Sequence, residues 1–560
     1  MVKRWNRLSN VALPLILVLA LALGVAACGR QDAAPGGSAE PGGSPTGDNG
    51  DSAPAGGTAD GGAADGQPRR GGTLVVALPA NPLTYNPNAR PDDAGIMIFQ
   101  NLFSKLVTLD DQYHVIPDLA REWDVSDDGL TYTFHLHPDA RWHDGEPVTS
   151  ADVKWTYEAI LANQGLAAGS LAAIDAIETP DEHTVILRLQ RPNAPLLNNL
   201  AWFGVYIMPK HLYDNGQDWL ANPAAQEPVG SGPFRFESAR VDEHVTLVAN
   251  PDYFGGAPYL ERLVFSIIPD PQTAAQALMN GEVDVSLTRP SLTQLTVLRN
   301  APGVVVEIAP MPNRYYVPMN HGRELFQDLR VRRAVAHALN RQEVLDRALQ
   351  GVGAVAEGFY TPAIGWAYNP DAVAPAFDPA AAEALLDEAG YPRGAGGARL
   401  TLTMTIFSGG EWADIAAVLV ENLRAVGIEV DLVQLDEGAW IQRTVVDRDF
   451  DLTLLAGQQG PDPDQLRLRF GSMGALNMMG YANPDFDQLL AQAAALTDEE
   501  QRRPLYFEAQ EMLAQDLPFV PVAEMVNLHL FRDTVRGMPH HHEQIGAVPQ
   551  WGFHRAWLDR

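Results

Sequence analysis

A chain of 560 residues with 46% hydrophobic and 19% charged content carries enough apolar residues for several packed units, not one core. The formal net charge of −31 argues against a phosphate-backbone partner, because nucleic-acid affinity rests on clustered Lys and Arg that displace condensed counterions. The single cysteine, Cys28, removes any disulfide framework and any Cys-rich metal site, so the fold is held by burial alone.

At the amino terminus Lys3, Arg4 and Arg7 precede an apolar run over 11–27 that is interrupted by Pro14 and Gly24, the pattern of a secretory signal. A spanning helix needs about 20 apolar residues and is not normally followed at once by a structureless tail. The run ends in Val25-Ala26-Ala27-Cys28, which resembles a bacterial lipobox, where small residues admit the peptidase and the cysteine thiol is diacylated. Residues 29–70 contain no Val, Ile, Leu, Phe, Tyr or Trp and read as a flexible tether that cannot bury a core.

Residues 71–78 read as a short buried strand, broken by Pro79 and Pro82 into a loop that carries Tyr85 and Asn86. Leu130, Tyr132, Phe134 and Leu136 alternate with polar residues, the period of a half-buried strand in an antiparallel sheet. Thr149, with Asp152 three residues on, predicts a helix start, and Val153, Tyr157 and Ile160 fall on one face. Asp328 is placed to cap a helix carrying Val331, Ala334, Val335 and Ala338, and Asn340 with Glu343 starts the next, ending near Gly351. Alternation over 400–406 predicts a strand, followed by a helix with the stripe Trp412, Ile415, Ala416, Leu419, Val420, Leu423 and Val426. Gly427 stands at the terminator position, and 428–435 completes a βαβ unit. The apolar run 450–456 predicts one further strand, with Gln458 and Gln459 just beyond it.

Several blocks together resemble the bacterial extracellular solute-binding proteins of family 5, which serve importers of peptides, nickel complexes and related solutes. The most specific runs over 119–153 and includes Leu119-Ala120-Arg121-Glu122-Trp123 and Trp142-His143-Asp144-Gly145-Glu146-Pro147-Val148-Thr149. Gly230-Ser231-Gly232-Pro233-Phe234, Asn250-Pro251-Asp252-Tyr253-Phe254, Gly281-Glu282-Val283-Asp284, the 328–334 segment, and Gly480-Tyr481 before Asn483-Pro484 follow in the family's order. The resemblance implies an α/β, two-lobed periplasmic-binding-protein-like fold (type II, cluster C) with an extra subdomain inserted in the first lobe. Its expected borders are a signal peptide at 1–28, the tether at 29–70, a first lobe at 71–103, 229–312 and 523–560, the insert at 104–228, and a second lobe at 313–522. It also implies a monomeric receptor, without cofactor or catalysis, that clamps a peptide or other small solute and delivers it to the permease subunits of an ATP-driven importer. A saccharide or a metal chelate as ligand, a surface sensor, and a secreted hydrolase are the alternatives; no His-Glu-x-x-His or cysteine nucleophile supports the last.

The same resemblance implies cleft residues. Peptide-binding members carry an aspartate that pairs with the ligand's α-amino group in a Gly-Asp-Asn-Gly-Asp-Pro-Asp-like segment. This chain reads Gly457-Gln458-Gln459-Gly460-Pro461-Asp462-Pro463-Asp464, which puts the neutral Gln458 at that aspartate. Gln458 and Gln459 are then the expected polar contacts, with Asp462 or Asp464 a substitute anion if the loop register shifts, or else both part of a Pro-rich turn. Trp412 fits a ligand platform and a core stripe equally. Tyr85 and Asn86 resemble the family's Leu-Asn-Pro segment, with turn structure the alternative, and Tyr316 and Asn320 stand where the chain enters the second lobe. His143 with Asp144 reads as a structural turn. The pair His135 and His137, and the run His540 to His542, lack a third metal ligand at suitable spacing. Gly351, Gly353 and Ala356 mimic a dinucleotide fingerprint but follow a helix rather than a strand. Replacing Cys28 by Ser is expected to abolish lipid attachment, measured as release of the chain from the membrane fraction; retention of the variant there contradicts the lipobox assignment.

Overall fold

The computed structural model describes residues 67–89, 92–110, 113–219, 222–538 and 552–560. The signal segment, nearly all of the tether and His540 to His542 lie outside them. Arg70, at the end of the tether, donates to the Pro258 carbonyl at 3.0 Å and lies over the Tyr259 ring.

Alternation sets the first sheet. Thr131–Leu136 forms a strand whose Tyr132, Phe134 and Leu136 are buried, and it pairs antiparallel with Ala120–Val125 and Thr184–Leu189, with Ile174–Asp181 at the edge. The helix Ser150–Ala162 covers this sheet. Its start is fixed by the Asp152 carboxylate, which accepts from the Thr149 N–H at 2.8 Å and the Thr149 hydroxyl at 3.0 Å. Val153, Tyr157 and Ile160 lie fully inside, and the two aliphatic side chains are each worth about 1.5–3 kcal/mol of transfer free energy. The His143 turn acts as a clamp on the neighbouring sheet: its Nδ1 accepts the Gly230 N–H, and its Nε2 bonds the Gly232 carbonyl, each at 3.1 Å. Burial keeps this imidazole neutral, with its pKa pushed down to about 4. Gly230 is required there because a Cβ would stand 1.8 Å from the Leu102 carbonyl oxygen.

The larger sheet has nine strands. Thr73–Leu78 runs parallel to Arg262–Ile267 and Val285–Ser286, while Phe234–Arg240 and His244–Ala249 extend one edge antiparallel. Two long strands, Val304–Pro318 and Phe519–Arg532, pair antiparallel from Val304 opposite Arg532 to Pro318 opposite Phe519. We call them the first and second crossing strands. One end of the ribbon borders Val285–Ser286 in the first lobe, and the other packs among residues of the second lobe.

The second lobe holds a parallel three-stranded sheet, with Leu400–Phe407 between Ile428–Leu435 and Leu452–Thr453. Helix Gly410–Ala425 connects the first two strands, and Gly427, at φ +87°, turns the chain out of it. The strand expected over 450–456 is instead two. Leu452–Thr453 pairs with Met404 and Thr405, whereas Leu455–Gln458 joins the first crossing strand, so Gln458 lies inside a strand and not beyond one. A run buried at Phe450, Leu452, Leu454 and Leu455 fits the interior of either sheet, and the backbone passes from one to the other at Leu454.

The crossing strands are locked by a buried ion pair. Arg314, with no exposed surface, bonds the Glu524 carboxylate opposite it and donates to the carbonyls of Gly358 at 2.6 Å and Tyr360 at 2.7 Å. Desolvation raises the Glu524 carboxyl pKa, and the Arg314 charge pulls against that rise. Gly353 sits at φ +111°, where a Cβ would come within 2.6 Å of the Glu524 carbonyl oxygen, so close approach to the second crossing strand accounts for this glycine of the fingerprint-like pattern. Replacing Arg314 by Met leaves a buried carboxylate and two carbonyls unmatched, and is expected to lower unfolding free energy by about 3–5 kcal/mol in urea titration. Arg314→Met with Glu524→Leu is expected to recover most of that loss; equal stability of wild type and the single variant contradicts the assignment.

Candidate functional site

The residues singled out from the sequence fall into three groups. Tyr85 packs edge-on against Phe236 at 5.4 Å, and burial pushes its phenol up to about 12. The Asn86 amide donates to the Trp219 carbonyl at 2.9 Å and accepts from the Asn88 N–H at 3.2 Å, tying the loop after the first strand to the insert. Asn320 donates to the Arg448 and Phe450 carbonyls at 3.0 and 2.8 Å and accepts from the Gly322 N–H at 2.9 Å. These two amides are engaged by backbone, and Tyr85 packs in the core of the first lobe. Tyr316 lies between Phe519 at 5.2 Å and Phe470 at 6.3 Å, among second-lobe residues.

The acidic segment is also internally matched. Asp462 takes a two-pronged bond from buried Arg502 at 2.7 and 2.9 Å, while Arg502 bonds the Tyr506 hydroxyl at 2.7 Å and lies over Trp366. Asp464 is bonded by Arg467. Burial first, then the opposing charge of Asp462, set the Arg502 pKa, with the net direction upward. Such a matched pair leaves neither carboxylate free to take a ligand cation without breaking it.

Around Tyr315 aromatic and charged groups come together. Tyr315, on the first crossing strand, packs edge-on against Trp412 at 5.5 Å, and Trp412 in turn against Phe407 at 5.3 Å. The Tyr315 hydroxyl donates to the Glu411 carboxylate at the start of helix Gly410–Ala425. Burial, and then the Glu411 charge, drive the Tyr315 pKa well up, while Arg289 of the first lobe pulls it down. Gln459 is held by its backbone: its N–H donates to the Pro312 carbonyl at 2.6 Å, and its carbonyl accepts the Tyr360 hydroxyl at 2.6 Å. Its side-chain amide is buried with neither atom meeting a protein partner, and the same holds for Asn527 on the second crossing strand. Alternation puts Asn527 on the face of Ala523, the register partner of Tyr315. An unmatched buried amide costs about 1–3 kcal/mol unless a water or another polar molecule completes it. Gln458 pairs its backbone with Asn313 in the adjoining strand.

Arg289, Tyr315, Glu411 and Asn527 were not singled out from the sequence. Tyr315 and Tyr316 are adjacent, and nothing in the local pattern distinguishes which of them meets Trp412 and Glu411. Among the described residues no group of three or more His, Cys, Asp or Glu is placed to hold a metal ion, and no helix is long and apolar enough to cross a membrane.

Residues 114–477 match the family described as bacterial extracellular solute-binding proteins, family 5 middle. A putative ABC transporter peptide-binding protein of Brucella ovis is 32% identical over 468 residues, covering 80% of this chain and 86% of that one. The structure of the ABC transporter substrate-binding protein CtaP from Listeria monocytogenes superimposes with a TM-score of 0.79 at 25% identity, covering 88% of this chain and all of the other. The oligopeptide-binding protein AppA from Bacillus subtilis, solved in complex with a nonapeptide, gives a TM-score of 0.71 at 26% identity, covering 88% of this chain and all of AppA.

Proposed function

The chain belongs to the bacterial extracellular solute-binding proteins of family 5, and from that premise we propose that it is the peptide-capturing component of an ATP-driven importer. The observation that carries the peptide assignment is the pair of buried, unmatched amides of Gln459 and Asn527. Each offers one donor side and one acceptor side, the complement of a peptide group, and so reads backbone without reading side-chain identity. Trp412 and Tyr315 add an aromatic wall, and an apolar wall with a few convergent polar groups is the usual make-up of a ligand site.

The mechanism is closure. Asn527 stands on the second crossing strand and Arg289 in the first lobe, whereas Glu411 and Trp412 belong to the second lobe. Contacts to both sides coexist only when the lobes are together, so a ligand stabilises the closed form by its differential affinity for it. The closed outline is what the membrane permease receives, and no covalent step is needed. The protein acts outside the cytoplasm, held to the membrane by the diacylated Cys28 and working as a monomer at the end of its tether.

A thermal-shift series on the purified chain tests the ligand class with peptides, oligosaccharides and nickel complexes. Ligand at a hundredfold excess over Kd stabilises the folded state by about 2.7 kcal/mol, and that rise is expected with peptides alone. Gln459→Leu removes a buried amide that makes no protein bond, so it is expected to raise the unliganded melting temperature and to reduce the peptide-induced rise. A rise with saccharides or nickel complexes but not peptides contradicts the assignment.

A further inference from the structure

The insert, over 104–228, is joined to the first lobe by the chain at both of its ends and by hydrogen bonds between them. The Asn88 amide donates to the Tyr206 carbonyl at 2.7 Å and accepts the Tyr206 N–H at 2.9 Å, beside the Asn86 bond to Trp219 and the His143 clamp on Gly230 and Gly232. Its contact with the second lobe has no chain connection. The Ala194 N–H donates to the Ala494 carbonyl at 2.9 Å, and the Asn198 amide donates to the Pro461 carbonyl at 3.3 Å and approaches the Asp462 carboxylate at 3.5 Å. Leu196 and Leu200 of the same segment are fully buried, and the apolar core continues from the insert into the second lobe.

One residue of the second lobe builds both receiving points. The Ala494 carbonyl lies in the last turn of helix Pro484–Ala495, where carbonyls have no partner within the helix. The Arg502 Nε–H donates to the neighbouring Ala493 carbonyl at 3.2 Å, while the rest of the same guanidinium holds Asp462. Arg502 is 3% exposed, so the helix end and the 461–462 loop are fixed relative to each other before the insert reaches them. Arg502 and Asp462, closed to a ligand cation, thus gain a part in closure.

We propose that residues 193–198 of the insert are a latch, which grips the second lobe in the closed form and parts from it on opening. This rests on the closure reading above and adds a source of closed-form stability that the ligand does not supply. Separating the lobes breaks either the insert's bonds to the first lobe or its bonds to the second. The first set spans Asn86, Asn88, Gly230 and Gly232 and is backed by the chain on both sides; the second rests on Ala194 and Asn198. The second set therefore yields. Such a latch shifts the balance between open and closed forms without touching peptide, and it slows peptide release.

Cys28 is the sole cysteine, so in the purified Cys28→Ser chain the pair Ala194→Cys and Ala494→Cys places a disulfide across the latch alone. The probe is a degenerate library of cysteine-free peptides of two to nine residues, with bound and released peptide quantified by mass spectrometry. The oxidised chain, its pairing confirmed by loss of free thiol, is expected to take up at least tenfold less peptide than the reduced chain, and to retain peptide loaded before oxidation. Equal exchange by the oxidised and reduced chains overturns the latch, because the contact then need not part, and leaves the closure reading intact. Asn198→Asp sets a carboxylate against the Pro461 carbonyl and Asp462. It is expected to release loaded peptide roughly tenfold faster than wild type, the ratio that loss of one hydrogen-bonded contact gives, and to enlarge the unliganded chain in X-ray scattering. Release at the wild-type rate from folded Asn198→Asp also overturns the latch. Bound peptide that compacts neither wild type nor Asn198→Asp overturns the closure reading itself, and the latch with it.

Discussion

A guanidinium with no exposed surface, set between two antiparallel strands, fixes where the halves of this molecule meet. Arg314 bonds Glu524 across the ribbon and reaches the carbonyls of Gly358 and Tyr360 beyond it, so one side chain ties both crossing strands to the loop at the edge of the second lobe. Removing either charge strands the other in a low dielectric, and that asymmetry is stronger than the net attraction of the pair. The register it holds, Arg314 opposite Glu524 and Tyr315 opposite Ala523, decides which neighbour turns toward Trp412 and Glu411. The site is therefore a consequence of the ribbon, one residue removed from its lock.

That arrangement separates side chains matched within the protein from side chains left unmatched. Arg502 with Asp462, and the amides of Asn86 and Asn320, are buried and matched within the protein. Gln459 and Asn527 are held by their backbone in a strand or beside one, yet their side chains find no protein partner, which is the condition for reading a ligand without first breaking an internal bond. Polar groups placed in this way are preorganised, because their positions do not depend on the molecule they meet.

Periodicity made much of the fold readable. Tyr132, Phe134 and Leu136 on one face of a strand, Val153, Tyr157 and Ile160 on one face of a helix, and the βαβ unit closed by Gly427 all follow from side-chain period alone. The 450–458 segment did not follow: Phe450, Leu452 and Leu454 alternate with Asp451 and Thr453, the period breaks between Leu454 and Leu455, and the chain passes there from one sheet to the other. Site chemistry is harder to read for a related reason. An asparagine has the same appearance in a sequence whether its amide ties down two carbonyls, as at Asn320, or meets no protein partner, as at Asn527. Asp462 is paired with a residue 40 positions later, and Tyr315 meets Glu411 96 positions later, distances over which local pattern carries no information.

The central claim is that peptide closes the lobes about the crossing strands, and small-angle X-ray scattering of the chain with and without saturating peptide measures it most directly. The account predicts a smaller radius of gyration and a shorter maximum dimension with peptide bound. Scattering unchanged by peptide that is demonstrably bound would contradict closure as the means by which this protein presents its ligand.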